Sequence, residues 1–484
     1  MTDATPDVSF AARLDYLAEH SGDDPALSFG GTTLNYATLN RLASRLARHF
    51  LSLGAEQGDF VTIAEPNGVE FIASVLACWK IGAIPQPVSS RLPTLEFETI
   101  VQLADSALVV GAEITDRTCL PIGFQPSAEL DDSPLSDSIS PAWKAPTSGG
   151  STGRPKLIVS GDPSVYSASI AGLGSLIGAK AGKAMAMPGP LYHNGPFIWS
   201  CSTLLAGGHL VLLQRFDAEE TLRIVDRYNA SAIYLVPTMM QRMWKLPDET
   251  KYSYDLSSLE RAVHLAEPCP VWLKEAWIDW IGPENLWELY GGTEAQMFTF
   301  LSGLEWREHR GSVGRPIAGE VKVCDEDGNE LEAGETGDVW MRWTGRDTPT
   351  YRYIGAEAEQ RDGWECLGDI GWLDDDGYLY LADRRKDMIL VGGANVYPAE
   401  IEAAINAHPL VESCAVIGLP DDDKGTRIHA IVQASGVEDS DLMAFLADRL
   451  VRYKLPRSIE WTDEPLRDDA GKVRRGALQS ERSA

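Results

Sequence analysis

Short apolar runs that alternate with helical segments dominate the first half of this 484-residue chain. The runs have the length of buried strands, and the stretches between them carry apolar residues at three- and four-residue spacing. The runs are Phe60-Val-Thr-Ile-Ala, Ala107-Leu-Val-Val, Lys156-Leu-Ile-Val, Leu210-Val-Leu-Leu and Ala232-Ile-Tyr-Leu-Val. Repeated strand–helix units form a mostly parallel sheet that is covered by helices. The pattern therefore predicts an α/β fold.

The pattern changes after residue 311. Asp-Gly turns recur at Asp327, Asp362 and Asp376 with short strands between them, which is typical of an antiparallel β subdomain. Strands and helices then mix again from residue 387 to the end. A chain of this length is expected to divide into two or three domains. We predict a large N-terminal domain over residues 1–383, with mostly parallel sheets and an antiparallel β subdomain, and a small mobile α+β domain over residues 384–484.

Charge and cysteine content limit the partners and the compartment. The net charge of −29 argues against nucleic acid or an anionic membrane as the main partner. The seven cysteines contain no Cys-x-x-Cys pair, which excludes a zinc ribbon or thioredoxin motif and favours the reducing cytoplasm. The N-terminus lacks a signal-peptide pattern, and without an apolar run of about 18 residues we expect no membrane insertion.

The segment from Ser148 to Lys156 is rich in glycine and hydroxyl groups and ends in Arg-Pro-Lys. Such a segment can bend so that its backbone N–H groups point into one concavity, where hydroxyls and a cation meet phosphate oxygens. It is not a Walker A loop, because Pro155 separates the lysine from Gly153. It also lacks the Gly-x-Gly-x-x-Gly dinucleotide pattern. The segment predicts a phosphate site of another kind.

Five further segments carry polar residues that are suited to chemistry. They are Tyr290-Gly-Gly-Thr-Glu294, Gly368-Asp369-Ile-Gly, Asp383-Arg-Arg-Lys-Asp387, Gly392-Gly-Ala-Asn-Val-Tyr-Pro398 and Asp469-Ala-Gly-Lys472. Each has an ordinary explanation when taken alone, as a turn, a solvated charged face or a polar loop. The glycine-rich segment alone is also compatible with a mobile lid. Their joint occurrence in this order favours a shared function.

In this order the segments resemble the core motifs of the adenylate-forming, or AMP-binding, superfamily of acyl-CoA synthetases, peptide-synthetase adenylation domains and luciferases. The resemblance covers residues 10–478, nearly the whole chain. Pro190-Leu-Tyr-His-Asn-Gly and Gly311-Ser-Val-Gly-Arg-Pro resemble the CoA-ligase branch, and His264-Leu-Ala-Glu-Pro-Cys-Pro is similar to bile-acid and related bulky-acid CoA ligases.

The resemblance implies a reaction in two halves. A carboxylate attacks the α-phosphate of ATP to give an acyl-adenylate and pyrophosphate, and a thiol or amine then displaces AMP. ATP and Mg²⁺ are the implied cofactors, CoA is the co-substrate, and an aromatic or bulky cyclic carboxylic acid is the implied substrate. A homodimer is left open.

The resemblance also assigns roles to residues. The catalytic residues it implies are Lys472, Thr293 and Glu294, with Glu294 as the magnesium ligand. The residues it implies for ATP binding are Ser148, Gly149, Gly150, Ser151, Thr152, Gly153, Lys156, Ala266, Glu267, Pro268, Tyr290, Gly291, Asp369 and Arg384. Those for acid binding are His193, Asn194, Phe197, Gly292 and Met297. Lys386 is the implied hinge between two domain arrangements, and Gly392, Gly393 and Ala394 are the implied thiol-side segment.

Glu267 departs from the family pattern, since similar ligases carry a small residue there. A carboxylate at this position would repel a second anionic group and accept a hydrogen bond from a substrate amine or hydroxyl. The alternative is that Glu267 points to solvent or caps the helix at Pro268. Ala295 and Leu367 also differ from the expected family residues, glycine and threonine.

Two other functions stay open at this point. The first is an adenylating enzyme with another acceptor, such as a carrier protein in trans, an amine, or an unusual oxyanion like nitrite. The second is an inactive nucleotide-binding module, against which the presence of Lys472, Glu294 and Asp369 argues.

Overall fold

The computed structural model of the protein describes residues 7–149, 155–346, 348–391, 394–421, 425–468 and 471–482. Within them, single-turn 3₁₀ helices cover Arg385–Asp387 and Arg452–Lys454. The α-helices are α1 (Phe10–His20), α2 (Tyr36–Ser52), α3 (Val69–Ile81), α4 (Thr94–Ala104), α5 (Ala168–Leu176), α6 (Asn194–Leu205), α7 (Ala218–Tyr228), α8 (Pro237–Trp244), α9 (Asp248–Lys251), α10 (Val271–Ile281), α11 (Gly303–Glu308), α12 (Pro398–Asn406), α13 (Asp439–Ala447) and α14 (Arg475–Arg482).

The strands are β1 (Val8–Ser9), β2 (Pro25–Phe29), β3 (Thr32–Asn35), β4 (Phe60–Ile63), β5 (Ile84–Pro87), β6 (Leu108–Val110), β7 (Thr118–Leu120), β8 (Thr147–Gly149), β9 (Pro155–Ser160), β10 (Val165–Tyr166), β11 (Ala184–Met187), β12 (His209–Leu212), β13 (Ala232–Leu235), β14 (Arg261–His264), β15 (Leu286–Gly291), β16 (Phe298–Ser302), β17 (Ser312–Gly314), β18 (Pro316–Ala318), β19 (Glu320–Cys324), β20 (Gly337–Arg342), β21 (Tyr351–Ile354), β22 (Glu359–Arg361), β23 (Trp364–Leu373), β24 (Leu379–Arg384), β25 (Ile389–Val391), β26 (Ala394–Val396), β27 (Val411–Asp421), β28 (Gly425–Ala434) and β29 (Ser458–Trp461).

Two sheets with parallel strands form the body of the protein, as the alternating pattern predicts. The larger sheet has nine strands in the order β18-β16-β15-β14-β13-β11-β12-β2-β3. Its central strands, from β15 to β2, are parallel to one another, and antiparallel strands flank them at both edges. A second sheet, of order β5-β4-β6-β7, is parallel throughout. Helices such as α2 and α3 contribute their buried apolar side chains to the core that joins these layers. The predicted α/β fold class is confirmed.

Helix α2 illustrates how local sequence sets these elements. Asn35 caps the helix by accepting a hydrogen bond from the Thr38 amide at 2.9 Å. Leu39, Leu46 and Phe50 follow at helical spacing and are buried in the main core. The cap satisfies an otherwise unpaired amide, and the apolar stripe anchors the helix on the sheet.

The prediction for Lys156-Leu-Ile-Val is only half right. This run is a strand, β9, but it belongs to an antiparallel sheet of order β21-β9-β8 and not to the parallel sheets. An apolar run has the same appearance in a parallel and in an antiparallel sheet, so the pattern alone does not assign its neighbours. The consequence is that the two described ends of the glycine-rich segment, Ser148-Gly149 and Pro155-Lys156, lie on paired antiparallel strands.

The later part of the chain is antiparallel and then α+β, as its turns predict. A six-stranded sheet contains the order β17-β24-β23-β20-β19 with β22 on β23. Beyond it, a separate hydrophobic cluster holds α12, α13 and strands β27 and β28, with Ile401, Ile405 and Leu442 fully buried. Among the described residues, no helix is long and apolar enough to cross a bilayer.

Candidate active site

The candidate site lies where four neighbouring parallel strands end. Strands β15, β14, β13 and β11 are adjacent in the nine-stranded sheet, so their carboxyl ends share one edge. The segments that follow them are 292–295, 265–270, 236–238 and 188–193. They include seven of the predicted site residues, namely His193, Ala266, Glu267, Pro268, Gly292, Thr293 and Glu294. Ligands of open α/β sheets bind at this edge, because the connecting loops there are free to diverge.

Glu294 is buried at this edge and binds two groups from the antiparallel sheet. The Tyr353 hydroxyl donates to Glu294 Oε1 at 2.6 Å, and the Lys156 ammonium lies 3.6 Å from the same oxygen. The lysine also lies over the Tyr353 ring, 3.7 Å from its centre. Burial lowers the pKa of Lys156, and the Glu294 carboxylate opposes that shift. The Thr350 hydroxyl donates a hydrogen bond to the backbone carbonyl of Glu294 at 2.7 Å.

Asp369 is the centre of a second polar cluster. The Tyr290 hydroxyl donates to Asp369 Oδ2 at 2.7 Å, and Arg384 Nε lies 3.1 Å from Asp369 Oδ1. The Asp369 carboxylate raises the pKa of Arg384. Burial raises the pKa of Tyr290, and Asp369 adds to that effect. Three residues predicted for nucleotide binding are therefore in direct contact.

The beginning of α6 brings two polar atoms to the same edge. His193 is the N-cap residue of α6 and Asn194 is its first residue. Their atoms His193 Nε2 and Asn194 Oδ1 are buried without a hydrogen-bond partner among the described residues. Burial, and then the positive charge of Lys472, lower the pKa of His193 to about 3. A neutral imidazole and an amide oxygen thus have free hydrogen-bonding capacity.

Glu267 joins the two domains of the protein. Its Oε2 accepts hydrogen bonds from the Thr238 hydroxyl at 2.7 Å and the Thr238 amide at 3.2 Å. Its Oε1 lies 3.9 Å from Arg467 Nη1 of the small domain. Burial raises the pKa of Glu267, and Arg467 opposes this. The alternative in which Glu267 points to solvent or caps the helix at Pro268 is wrong, because the carboxylate is buried and α10 begins at Val271.

Lys472 reaches this cleft on a tight turn. The Lys472 amide donates to Asp468 Oδ1 at 2.9 Å, and Arg467 Nη1 donates to the Gly471 carbonyl at 2.8 Å. Desolvation within the cleft, and then the charge of Arg384, lower the pKa of Lys472, while Asp468, Glu267 and Glu294 oppose the shift. The lysine therefore lies within electrostatic range of both polar clusters of the large domain.

Part of the predicted phosphate segment is described. Ser148 and Gly149 lie on β8, where Ser148 is opposite Lys156 in the register with β9. Gly150, Ser151, Thr152 and Gly153 lie outside the described residues. The described end of the segment at Lys156, on β9, lies beside Glu294.

The other predicted residues of the strand-edge segments lie next to Glu267, Tyr290 or Glu294 in the chain. Ala266 and Pro268 flank Glu267, and Ala266 has a left-handed backbone with φ of 74°. Gly291 and Gly292 adjoin Tyr290, and a Cβ at Gly292 would lie 2.4 Å from Leu367 Cδ1. Thr293 is half-buried beside Glu294.

Two predicted acid-binding residues lie in hydrophobic cores. Phe197 is fully buried with its ring 6.4 Å from that of Trp79 and 6.0 Å from that of Trp143. Met297 is fully buried in a cluster with Val339. The geometry gives no support to a role for these two side chains in acid binding.

The structure describes only some of the residues predicted for the hinge and the thiol side. Lys386 is exposed within the 3₁₀ turn between β24 and β25. Gly392 and Gly393 lie outside the described residues, and Ala394 is described only as the first residue of β26.

Sequence reasoning missed Tyr353, Thr238 and Arg467. Tyr353 reaches Glu294 only because β21 pairs with β9, and Arg467 reaches Glu267 only through the packing of the two domains. Thr238 was the easiest of the three to find, because it follows strand β13 directly at the carboxyl edge.

Comparison with known proteins shows which family the chain matches. The model of the AMP-binding enzyme family matches residues 14–345, and that of the AMP-binding enzyme C-terminal domain matches residues 400–472. A feruloyl-CoA synthase from Amycolatopsis is 31% identical over 473 residues, which cover 94% of this chain and 95% of the relative.

Solved structures are similar over nearly the whole length. An o-succinylbenzoate CoA synthetase from Bacillus subtilis, in complex with its acyl-adenylate intermediate, superposes with a TM-score of 0.82 at 24% identity, covering 99% of both chains. An amide bond synthetase from Marinactinospora thermotolerans superposes with a TM-score of 0.79 at 25% identity, covering 98% of this chain and 100% of that one.

The fold, the residues at the strand edge and the similarity to known ligases together define an ATP-dependent, adenylate-forming ligase. The chain belongs to the AMP-binding enzyme family, in its acyl-CoA synthetase branch. It is an AMP-forming acid–thiol ligase by family.

Proposed function

We propose that this ligase activates an aromatic or bulky cyclic carboxylic acid and transfers the acyl group to CoA. The observation that carries the proposal is the docking of the segment that presents Lys472, since a Cβ at the preceding Gly471 would lie 1.6 Å from Glu267 Oε1 at the strand edge. The names of the feruloyl-CoA and o-succinylbenzoate enzymes support an aromatic acid.

The nucleotide would lie along the strand edge from Asp369 to Lys156 at the end of the glycine-rich segment. Asp369 takes the ribose hydroxyls, and Tyr290, Gly291 and the segment from Ala266 to Pro268 form the wall against adenine. Ser148, Gly149 and the segment 150–153 bind the β- and γ-phosphates together with Lys156. This assignment gives each phosphate a donor or a cation, which the transfer of an anion onto a polyanion requires.

The first half-reaction forms one bond and breaks one. A carboxylate oxygen of the acid bonds to the α-phosphorus, and the bond from that phosphorus to the bridging oxygen breaks, so that pyrophosphate leaves with the bonding electrons. Lys472 stabilises the charge that builds on the α-phosphoryl oxygens, and Thr293 orients the reactants by hydrogen bonding. In the second half, the CoA sulfur loses its proton, attacks the acyl carbon and displaces AMP.

The donor set around the phosphates fits Mg²⁺. This ion binds proteins through one or two carboxylates and completes its shell with water and substrate phosphates. Glu294 is the carboxylate beside Lys156, and the described part of the chain contains no cluster of three or more metal-ligating side chains. Glu294 would hold the ion, which supplies positive charge to the phosphate oxygens.

The acid would enter beside the start of α6. A neutral His193 and the Asn194 amide have polar atoms there that are unpaired among the described residues. A cytoplasmic location accompanies the proposal, since all seven cysteines are free. A homodimer stays a prediction.

A pyrophosphate-release screen over a panel of carboxylic acids, with and without CoA, tests the proposal. We expect release that depends on an aromatic or bulky cyclic acid, and AMP formation that depends on CoA. Release without CoA-dependent turnover would overturn CoA as acceptor. Amines form a second arm of the screen, because the similarity to an amide bond synthetase favours that acceptor next. No release with any acid would overturn the proposal.

A further inference from the structure

Lys245 makes three polar contacts between the two domains. It is the C-cap residue of α8 in the large domain. Its ammonium donates to three backbone carbonyls of the small domain, those of Asn406 at 3.3 Å, His408 at 3.3 Å and Val411.

These carbonyls are a natural site for a cation. Asn406 is the last residue of α12, and the last carbonyls of a helix lack intrahelical donors. They also form the negative end of the helix dipole. An ammonium group has three N–H donors, which equals the number of carbonyls that Lys245 meets. Lys245 therefore caps a helix that belongs to the other domain.

Helix α12 is a rigid part of the small domain. Ile401 and Ile405 are fully buried in the small-domain core with Val416 of β27. A contact that holds the end of α12 therefore holds the whole small domain.

A chain of polar contacts links α12 to the catalytic lysine. Glu402 lies one turn before the capped end and is buried. Its carboxylate accepts from Arg467 at 3.1 Å and from Arg475 at 2.7 Å. Arg467 in turn donates to the carbonyl of Gly471, the residue before Lys472.

We propose that Lys245 is a positioning residue for adenylation, because its cap on α12 holds the small domain where Lys472 faces the phosphates. The inference rests on the proposed function and deepens it. Lys245 acts in the first half-reaction only, since the family resemblance implies that the small domain takes another position for transfer to the thiol. Burial of the ammonium lowers the pKa of Lys245 to about 8, so the carbonyl contacts offset a loss of hydration.

The variant Lys245→Met keeps the length of the side chain and removes the donors. Hydrogen bonds to a charged group contribute about 1.5–3 kcal/mol, which converts to a roughly 10- to 150-fold shift in the domain equilibrium. We expect kcat for acid-dependent ATP–pyrophosphate exchange to fall by at least about tenfold, with little change in KM for ATP. Acyl transfer from a presynthesised acyl-adenylate to CoA stays at the wild-type rate or rises.

Two further variants make the test specific. Lys183→Met is the matched control, because Lys183 is an exposed lysine in the turn before β11. Lys245→Arg keeps the charge and is expected to recover most of the exchange activity. Equal losses in both half-reactions, or exchange unchanged in Lys245→Met, would overturn the inference.

A measurement without catalysis separates this inference from the proposed function. Residues 384–386 are exposed and basic at the domain boundary, so trypsin cleavage there reports on how the small domain is held. We expect faster cleavage at these residues in Lys245→Met than in Lys183→Met, scored by the masses of the two fragments. Equal rates contradict the role of Lys245, even if no acid in the screen is activated.

Discussion

Replacing Gly471 with alanine tests how the catalytic turn docks on the large domain. Gly471 has a φ of +79°, and a Cβ there would lie 1.6 Å from Glu267 Oε1. The residue precedes Lys472, so any adjustment of the turn moves the lysine. Glu267 cannot retreat freely, because Thr238 holds its other oxygen with two hydrogen bonds.

Two costs of different kind follow from this geometry. The left-handed backbone disfavours alanine by about 1–2 kcal/mol in every domain arrangement. The overlap with Glu267 adds about 1–3 kcal/mol, and only when the turn is docked. The overlap with Glu267 alone therefore lowers the population of the adenylation arrangement of the two domains by a factor of roughly 5 to 150.

The assay compares the two half-reactions in Gly471→Ala. ATP–pyrophosphate exchange is expected to fall by that factor, while transfer from presynthesised acyl-adenylate changes little. The double variant Glu267→Ala/Gly471→Ala removes the overlap and is expected to exchange faster than Gly471→Ala. A double variant that is no faster would refute the docking of this turn on Glu267. The single variant Glu267→Ala is the control, because it measures the effect of losing the contact with Arg467 alone.

Three further predictions concern single residues. Lys472→Ala should lower exchange by orders of magnitude with nearly unchanged ATP binding by calorimetry, because its charge acts mainly in the transition state; wild-type exchange would contradict this. Lys274→Met should lower the free energy of unfolding by about 3–5 kcal/mol in urea titrations, since it leaves the buried Glu288 unpaired; a change below about 1 kcal/mol would show that the pair is not buried in solution. Burial, and then Lys274, lower the pKa of His264 well below 6.5. Protonation therefore favours the unfolded chain, and His264 should contribute a loss of about 1 kcal/mol in stability between pH 6.5 and 5.5 that His264→Leu lacks; equal losses in both proteins would argue against a neutral buried imidazole.

Residues that follow a strand directly could be predicted from the sequence. Tyr290 lies near the end of β15, and Glu294 lies three residues beyond that strand. The family resemblance indicates both residues, and because the carboxyl ends of parallel strands share an edge, the sheet class then gives their position. Asp369 and Arg384 required the family resemblance, because their contact depends on the register between the antiparallel strands β23 and β24.

Contacts that depend on packing could not be predicted. The hydrogen bond from Tyr353 of β21 to Glu294 depends on the pairing of β21 with β9, and an apolar run does not specify that pairing. Phe197 and Met297 show the same limit in another form, since a large apolar side chain has the same appearance in a binding pocket and in a core. The capped end of α12 has no sequence signal, because Lys245 meets backbone carbonyls and not side chains.

The pairing of β2 with β12 has a consequence for synthesis on the ribosome. Leu27 is opposite Leu210 in this parallel pair, so the first hairpin of the chain waits for a partner made much later. About 180 residues separate the two strands, and at roughly 5–20 residues per second their translation takes roughly 10 to 40 seconds. During that time the early strand keeps unpaired backbone groups on one edge, which is a template for wrong pairing. Slow decoding of the segment that leads to β12 would prolong this exposure, and the nascent chain would depend most on chaperones before residue 212 emerges.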